Sequence, residues 1–153
     1  MTPKQVLKKW IDAFNKADAG MISNLYDDLA VNHQVANEPV VGKTAIKQMF
    51  STEFANAEMI CIPENIFEDG DWAILEWKDP KGLRGCGFFN IKNDKIIFQR
   101  GYWDKLSFYR LHNISSADWV GHNYFSFAVD HEEFFKTLIH SSKSFGRHCR
   151  VEW

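Results

Sequence analysis

The stretch LYDDLAVNHQVANEPVVGKTAIKQMF, Leu25–Phe50, decides how the rest of the chain is read. Leu29 to Val35 reads as a short apolar strand and carries one histidine, His33, near its end. A polar loop follows and closes on Glu38-Pro39-Val40-Val41-Gly42, where proline and glycine break regular structure. From Lys43 to about Ala55 the apolar residues Ile46, Met49 and Phe50 return at helical spacing. The segment is therefore strand, loop, helix.

Working upstream, Thr2 and Pro3 open a first helix, with threonine as the cap and proline in the first turn. Val6, Leu7, Trp10, Ile11 and Phe14 form its apolar face, and the helix should end near Asp18. Asp18 is placed to cap a second, short helix with Met21, Ile22, Leu25 and Tyr26.

Downstream of Glu58 the apolar period becomes that of strands. Met59–Phe67, Trp72–Lys78, Leu83–Lys92 and Lys95–Asp104 are joined by turn signals at Glu68–Asp71, Asp79–Gly82 and Asn93-Asp94. Pro63 confines the first of these to an edge or a bulge. Helices first, then an antiparallel meander, give an α+β domain: a curved antiparallel sheet with the N-terminal helices packed on one face. The main domain is expected over residues 1–112. Residues 113–153 read as a C-terminal extension, with one amphipathic helix around Phe134, Phe135, Leu138 and Ile139, packed on the main domain.

Composition narrows the function classes. The formal net charge is −2 and Lys and Arg are spread along the chain, so nothing points to nucleic acid or to an anionic membrane surface. No apolar run is long enough to span a bilayer, and the N-terminus lacks a signal-peptide core, which makes a cytoplasmic protein the expectation. Cys61, Cys86 and Cys149 are odd in number and far apart, so free thiols are expected rather than disulfides. The histidines of the C-terminal part, with His140 and His148-Cys149 among them, match no common zinc spacing, and no metal site is expected. Aromatic residues make up 15% of the chain, enough to fill a large core, line an apolar cavity or cover an interface.

Four cues in order, LYDD, EPVVGKTAI, DGDWAILEW and QRGYWDKL, resemble the nuclear transport factor 2-like superfamily, in its SnoaL-like and ketosteroid isomerase-like branch. The resemblance covers about residues 4–111. It implies a cone in which the sheet wraps a helix around a mostly apolar pocket, and pairing of two copies through the outer sheet face. In the isomerases the catalytic base sits at the position matching His33. Their oxyanion tyrosine matches Trp10, and their protonated aspartate falls near Gly87. The Arg-x-Asp pattern of the related epoxide hydrolases falls on Trp77-Lys78-Asp79, keeping only the aspartate, and their second aspartate falls on Gly101.

His33 is thus the candidate general base, since imidazole exchanges protons near neutrality. Alternation sorts Ile97, Gln99, Gly101 and Trp103 onto one face of the last strand, and the resemblance turns that face to the pocket. Trp10, Leu75, Trp77, Asp79, Phe89, Gln99 and Trp103 are the candidate ligand contacts. The other face carries Trp72, Ile74, Phe98 and Tyr102, a stripe suited to a homodimer interface. The expected function is binding of a small hydrophobic molecule in the cone, without a cofactor. The competing expectation is a cofactor-independent isomerase, cyclase or hydratase-like enzyme that uses His33 on a carbonyl compound.

Overall fold

The computed structural model describes residues 1–113, which lie within one compact unit, Met1–Asp118. The expected C-terminal extension, with its amphipathic helix, lies outside the described residues. Ten elements follow one another: α1 (Pro3–Asn15), α2 (Ala19–Ser23), β1 (Tyr26–Gln34), β2 (Val40–Val41), α3 (Lys43–Asn56), β3 (Ile62–Asp69), β4 (Trp72–Lys78), β5 (Arg84–Lys92), β6 (Lys95–Trp103) and α4 (Lys105–His112).

The helix starts form as the caps dictate. Thr2 and Gln5 make a reciprocal capping box at α1, and Asp18 accepts from the Met21 amide at α2 (2.7 Å). The hairpin signals also hold. Asn93 and Asp94 both adopt positive φ, as a two-residue turn matching strand twist requires. Helix α4 was not legible as a helix. Asp104 reads as the end of a strand, but its side chain accepts from the Ser107 amide (2.7 Å) and starts a new helix instead. That contact holds the Asp104 carboxyl below its ordinary range.

The sheet has six strands in the order β2-β1-β6-β5-β4-β3. It is antiparallel except where β1 runs parallel to β6. Strand β1 begins three residues earlier than the apolar run suggests, at Tyr26, and advances from Tyr26 to Val31 while β6 advances only from Ile96 to Phe98. The surplus bulges outward at Leu29, which is 82% exposed. A second irregularity, at Asn90/Ile91, changes the sorting of β6: Ile96, rather than Ile97, enters the core. Pro63 sits on the edge strand at a register shift, the position open to a residue without a backbone donor.

Helix α1 packs across β3, β4 and β5, while α3 packs on β1 and β2. The core between them holds Val6, Leu7, Trp10, Ile22, Tyr26, Ile46, Phe50, Leu75, Phe89 and Ile96. Rings dominate it: Trp10 stacks on Phe14 (5.0 Å between centroids) and meets Phe89 edge-on at 5.2 Å.

Close approach needs glycine at Gly85. A Cβ built there lies 2.5 Å from Trp77 Cζ2 and 2.6 Å from the Tyr102 carbonyl oxygen. The tryptophan can swing, but the carbonyl belongs to the neighbouring strand. Gly85→Val should therefore destabilise the fold by about 2–3 kcal/mol, read as a lower urea midpoint; an unchanged midpoint would show that β5 and β6 separate freely there.

Candidate functional site

Alternation along β1 turns Tyr26, Ala30 and Asn32 inward, and all three are buried. Gln99 lies opposite Asn32 on β6 and is also buried. These side chains cannot reach water, so their polar atoms pair with one another. Trp10 Nε1 donates to the Tyr26 hydroxyl (2.8 Å), and that hydroxyl donates to Gln99 Oε1. Asn32 Nδ2 donates to both, at 3.3 Å and 3.2 Å. Gln34 Nε2 donates to Asn32 Oδ1 (2.8 Å), and Trp103 Nε1 donates to Gln34 Oε1 (3.1 Å). The result is a continuous hydrogen-bonded ladder from α1 through β1 to the end of β6. Its direction is fixed, because an indole only donates and the Gln99 carbonyl only accepts. Burial pushes the Tyr26 hydroxyl well above its ordinary value, and the bonds from Trp10 and Asn32 oppose that only in part.

A carboxyl faces the same region. Along α3, Ile46 and Phe50 are buried and Met49 and Phe54 pack on the core. Glu53 falls on that same helical face, three residues after Phe50. Burial pushes its carboxyl up to about 7, and its charge adds to the raising of Tyr26. Among the described residues its side chain has no hydrogen-bond partner.

The expected contacts divide accordingly. Trp10, Gln99 and Trp103 share the ladder, and Phe89 packs on Trp10. Leu75 and Phe89 are fully buried core residues, and half-buried Trp77 packs against the same core. Trp103 also meets Phe108 of α4 edge-on at 5.5 Å.

His33 and Asp79 stand apart from this group. His33 is opposite Arg100, on the sheet face away from Asn32 and Gln99. Its ring makes no hydrogen bond among the described residues. The match that set it in the pocket counted residues without fixing which side of the strand each one meets, and the inward position is one residue earlier, at Asn32. Asp79 is buried, but its carboxylate is engaged: Oδ1 accepts from the amides of Lys81 and Leu83 (both 2.8 Å) and Oδ2 meets His112 Nε2 at 2.9 Å.

Tyr26, Asn32, Gln34, Glu53 and His112 were not among the sequence candidates. For Glu53 a signal existed, since a carboxylate at the helical spacing of Ile46 and Phe50 interrupts an apolar face. For Tyr26 and Asn32 the signal was two-residue alternation, masked by the bulge. His112 gave none, because its partner lies 33 residues away.

The outer face of the sheet carries Trp72, Phe67 and Tyr102, each exposed, with Ile74, Phe88 and Phe98 half-buried among them. Trp72 meets Phe98 edge-on at 6.3 Å, and the Arg100 guanidinium lies 5.0 Å from the Phe98 ring. Cys61 and Cys86 are free thiols, and burial pushes Cys61 up to about 12, outside the reactive range. Among the described residues no helix is long and apolar enough to cross a membrane.

Comparison with known proteins agrees with this architecture. The family model of the SnoaL-like domain matches residues 7–99, and the chain belongs to that family. No curated protein sequence matches it. Among solved structures it is similar to an NTF2-like protein of unknown function from Cytophaga hutchinsonii, at 12% identity and a TM-score of 0.60, over 71% of this chain and 96% of that one. A putative polyketide cyclase from Sinorhizobium meliloti is similar at 20% identity and a TM-score of 0.59, over 63% and 93% of the two chains. An epoxide hydrolase/cyclase-like enzyme, described for pyran ring formation in the polyether salinomycin, is similar at 17% identity and a TM-score of 0.60, over 68% and 92%. At these identities the likeness is one of fold.

Proposed function

We propose that this SnoaL-like domain binds a small hydrophobic molecule between α3 and the inner face of the sheet, with a polar group of the ligand directed at Glu53 and the Tyr26–Gln99 pair. The observation that carries this reading is Glu53. A carboxyl on the core face of a helix, without a hydrogen-bond partner among the described residues, is expensive to keep in a core that serves stability alone. Phe50 and Phe54 precede and follow it on the same helix, and Trp10 and Phe14 pack on those two rings, which supplies an apolar wall. Thermal-shift screening with small polycyclic ketones and their parent hydrocarbons tests it. Ketones should raise the melting temperature more than hydrocarbons, Glu53→Leu should erase the difference, and His33→Ala should leave it unchanged. Equal responses to ketone and hydrocarbon in the parent would sink the reading.

A second reading is favoured by the same residue. An acid–base group with a carboxyl near 7 can accept and return a proton at physiological pH, so cofactor-independent isomerase or cyclase chemistry on a carbonyl compound would use Glu53 rather than His33. The solved structures described as polyketide cyclase and as epoxide hydrolase/cyclase-like are compatible with that class.

The outer face supports a homodimer. Trp72, Ile74, Phe98 and Tyr102, with Phe67 and Phe88, form an apolar patch of the kind that two copies bury against each other. Light scattering at micromolar concentration should give twice the chain mass, and Trp72→Glu with Tyr102→Glu should halve it. A parent that runs as a monomer would count against this pairing.

A further inference from the structure

The β4–β5 turn, the α3–β3 connection and the end of α4 enclose a groove of about 300 Å³, lined by Ala57, Glu58, Ile60, Pro80, Lys81 and His112 among others. The geometry points to a second ligand site here, one that takes a small carboxylate with a short apolar body. It rests on residues separate from the Tyr26–Gln99 ladder and from Glu53, so either site can fail without the other.

The anchor is a buried pair. The side chains of Asp79 and His112 are each only 7% exposed, with Asp79 Oδ2 2.9 Å from His112 Nε2. Asp79 is itself held by the amides of Lys81 and Leu83, so it cannot turn away. A carboxylate only accepts, which makes Nε2 the donor and assigns the lone pair of the neutral ring to Nδ1. Phe108 lies against the ring, 4.4 Å between centroids, and fixes its plane. Nδ1 is therefore presented at the groove in a set orientation, as a carboxylate-held histidine is at many binding centres.

Lys81 occupies that position. Its Nζ lies 3.4 Å from Nδ1, a long contact for an ammonium that is otherwise exposed. An ammonium bonded to a neutral ring nitrogen makes a weaker interaction than one bonded to an anion. A ligand carboxylate entering the groove would accept from Nζ, beside the ring that Asp79 holds in place. Ala57, Ile60 and Pro80 offer an apolar wall for the rest of the molecule. Glu58 also lines the groove, but it is exposed and water screens its charge. The volume is at the lower end for small-molecule sites and suits a ligand of roughly ten non-hydrogen atoms.

Benzoate is the probe, and benzamide is its neutral counterpart. The full chain, labelled with nitrogen-15 in its histidines, is titrated with each while the ring resonances of His112 are followed, assigned by their loss in His112→Gln. Benzoate should shift them saturably and benzamide should not. Lys81→Met should weaken benzoate by about tenfold or more, while Lys81→Arg keeps it, since a charge-assisted bond is lost in one and retained in the other. Lys81 is exposed, so these variants should melt like the parent; should Lys81→Met fail to fold, Lys81→Gln takes its place. The proposal is overturned by a linear, unsaturable benzoate response, by an equal response to benzamide, or by undiminished binding in the folded Lys81→Met protein.

Discussion

Gln99→Leu should lower the unfolding free energy by about 2–6 kcal/mol, the largest effect expected of any near-isosteric change in this domain. Gln99 Oε1 accepts from the Tyr26 hydroxyl and from Asn32 Nδ2, and all three side chains are buried. Leucine fills nearly the same space but accepts nothing. Two donors are then left inside the core, each at about 1–3 kcal/mol. The effect comes from stranded donors rather than from lost packing, which separates it from an ordinary cavity mutation. Adding Tyr26→Phe to Gln99→Leu removes one of the stranded donors. The double variant should therefore be less destabilised than the sum of the two single ones, with a coupling of about 1 kcal/mol or more in a urea-unfolding cycle. Strict additivity would mean that the ladder adds nothing beyond its separate parts.

The ladder also marks where sequence reasoning stopped. Elements with local causes were legible: the caps at Thr2 and Asp18, the Asn93-Asp94 turn, strand Trp72–Lys78, and the edge position of Pro63. Each depends on residues a few positions apart. The family cues likewise fixed the α+β architecture, because order and spacing of elements survive where identity does not. The site depended on something finer, which face of β1 each residue meets. Between Tyr26 and Val31 that strand gains three residues over its partner, and no local signal sets the size of a bulge. Matching by position therefore delivered His33, whereas the fold turns Asn32 inward. On β6, Gln99 and Trp103 were assigned correctly to the inner face, but Ile97 was not, because the Asn90/Ile91 irregularity intervenes. Asp79 reads from the sequence as a ligand contact; its partner in the fold, His112, lies on the helix that the Asp104 cap starts directly after β6.

Glu53→Gln should change how stability depends on pH more than any other single replacement. The Glu53 carboxyl ordinarily titrates at 4.5 and is pushed up to about 7 by burial. Below 4.5 it is protonated in both the folded and the unfolded chain, and folding carries no penalty from it. Between 4.5 and about 7 the unfolded chain releases the proton while the folded chain keeps it, so stability falls as pH rises; above 7 the loss is constant. The full difference corresponds to a ceiling of about 3 kcal/mol. Glu53 is only half-buried, so screening by water reduces the expected loss to about 1–2 kcal/mol. Glutamine has nearly the same shape and no titration. Urea unfolding from pH 4 to 9 should therefore show parent and variant alike at pH 4 and the variant more stable at pH 8. Parallel curves across that range would mean that Glu53 is hydrated as an ordinary surface carboxylate. The same titration bears on ligand binding. Protonated Glu53 can donate to a ketone oxygen, whereas the carboxylate cannot. The ketone-induced rise in melting temperature should thus be larger at pH 6 than at pH 8 in the parent. In Glu53→Gln, whose amide donates at every pH, it should be the same at both.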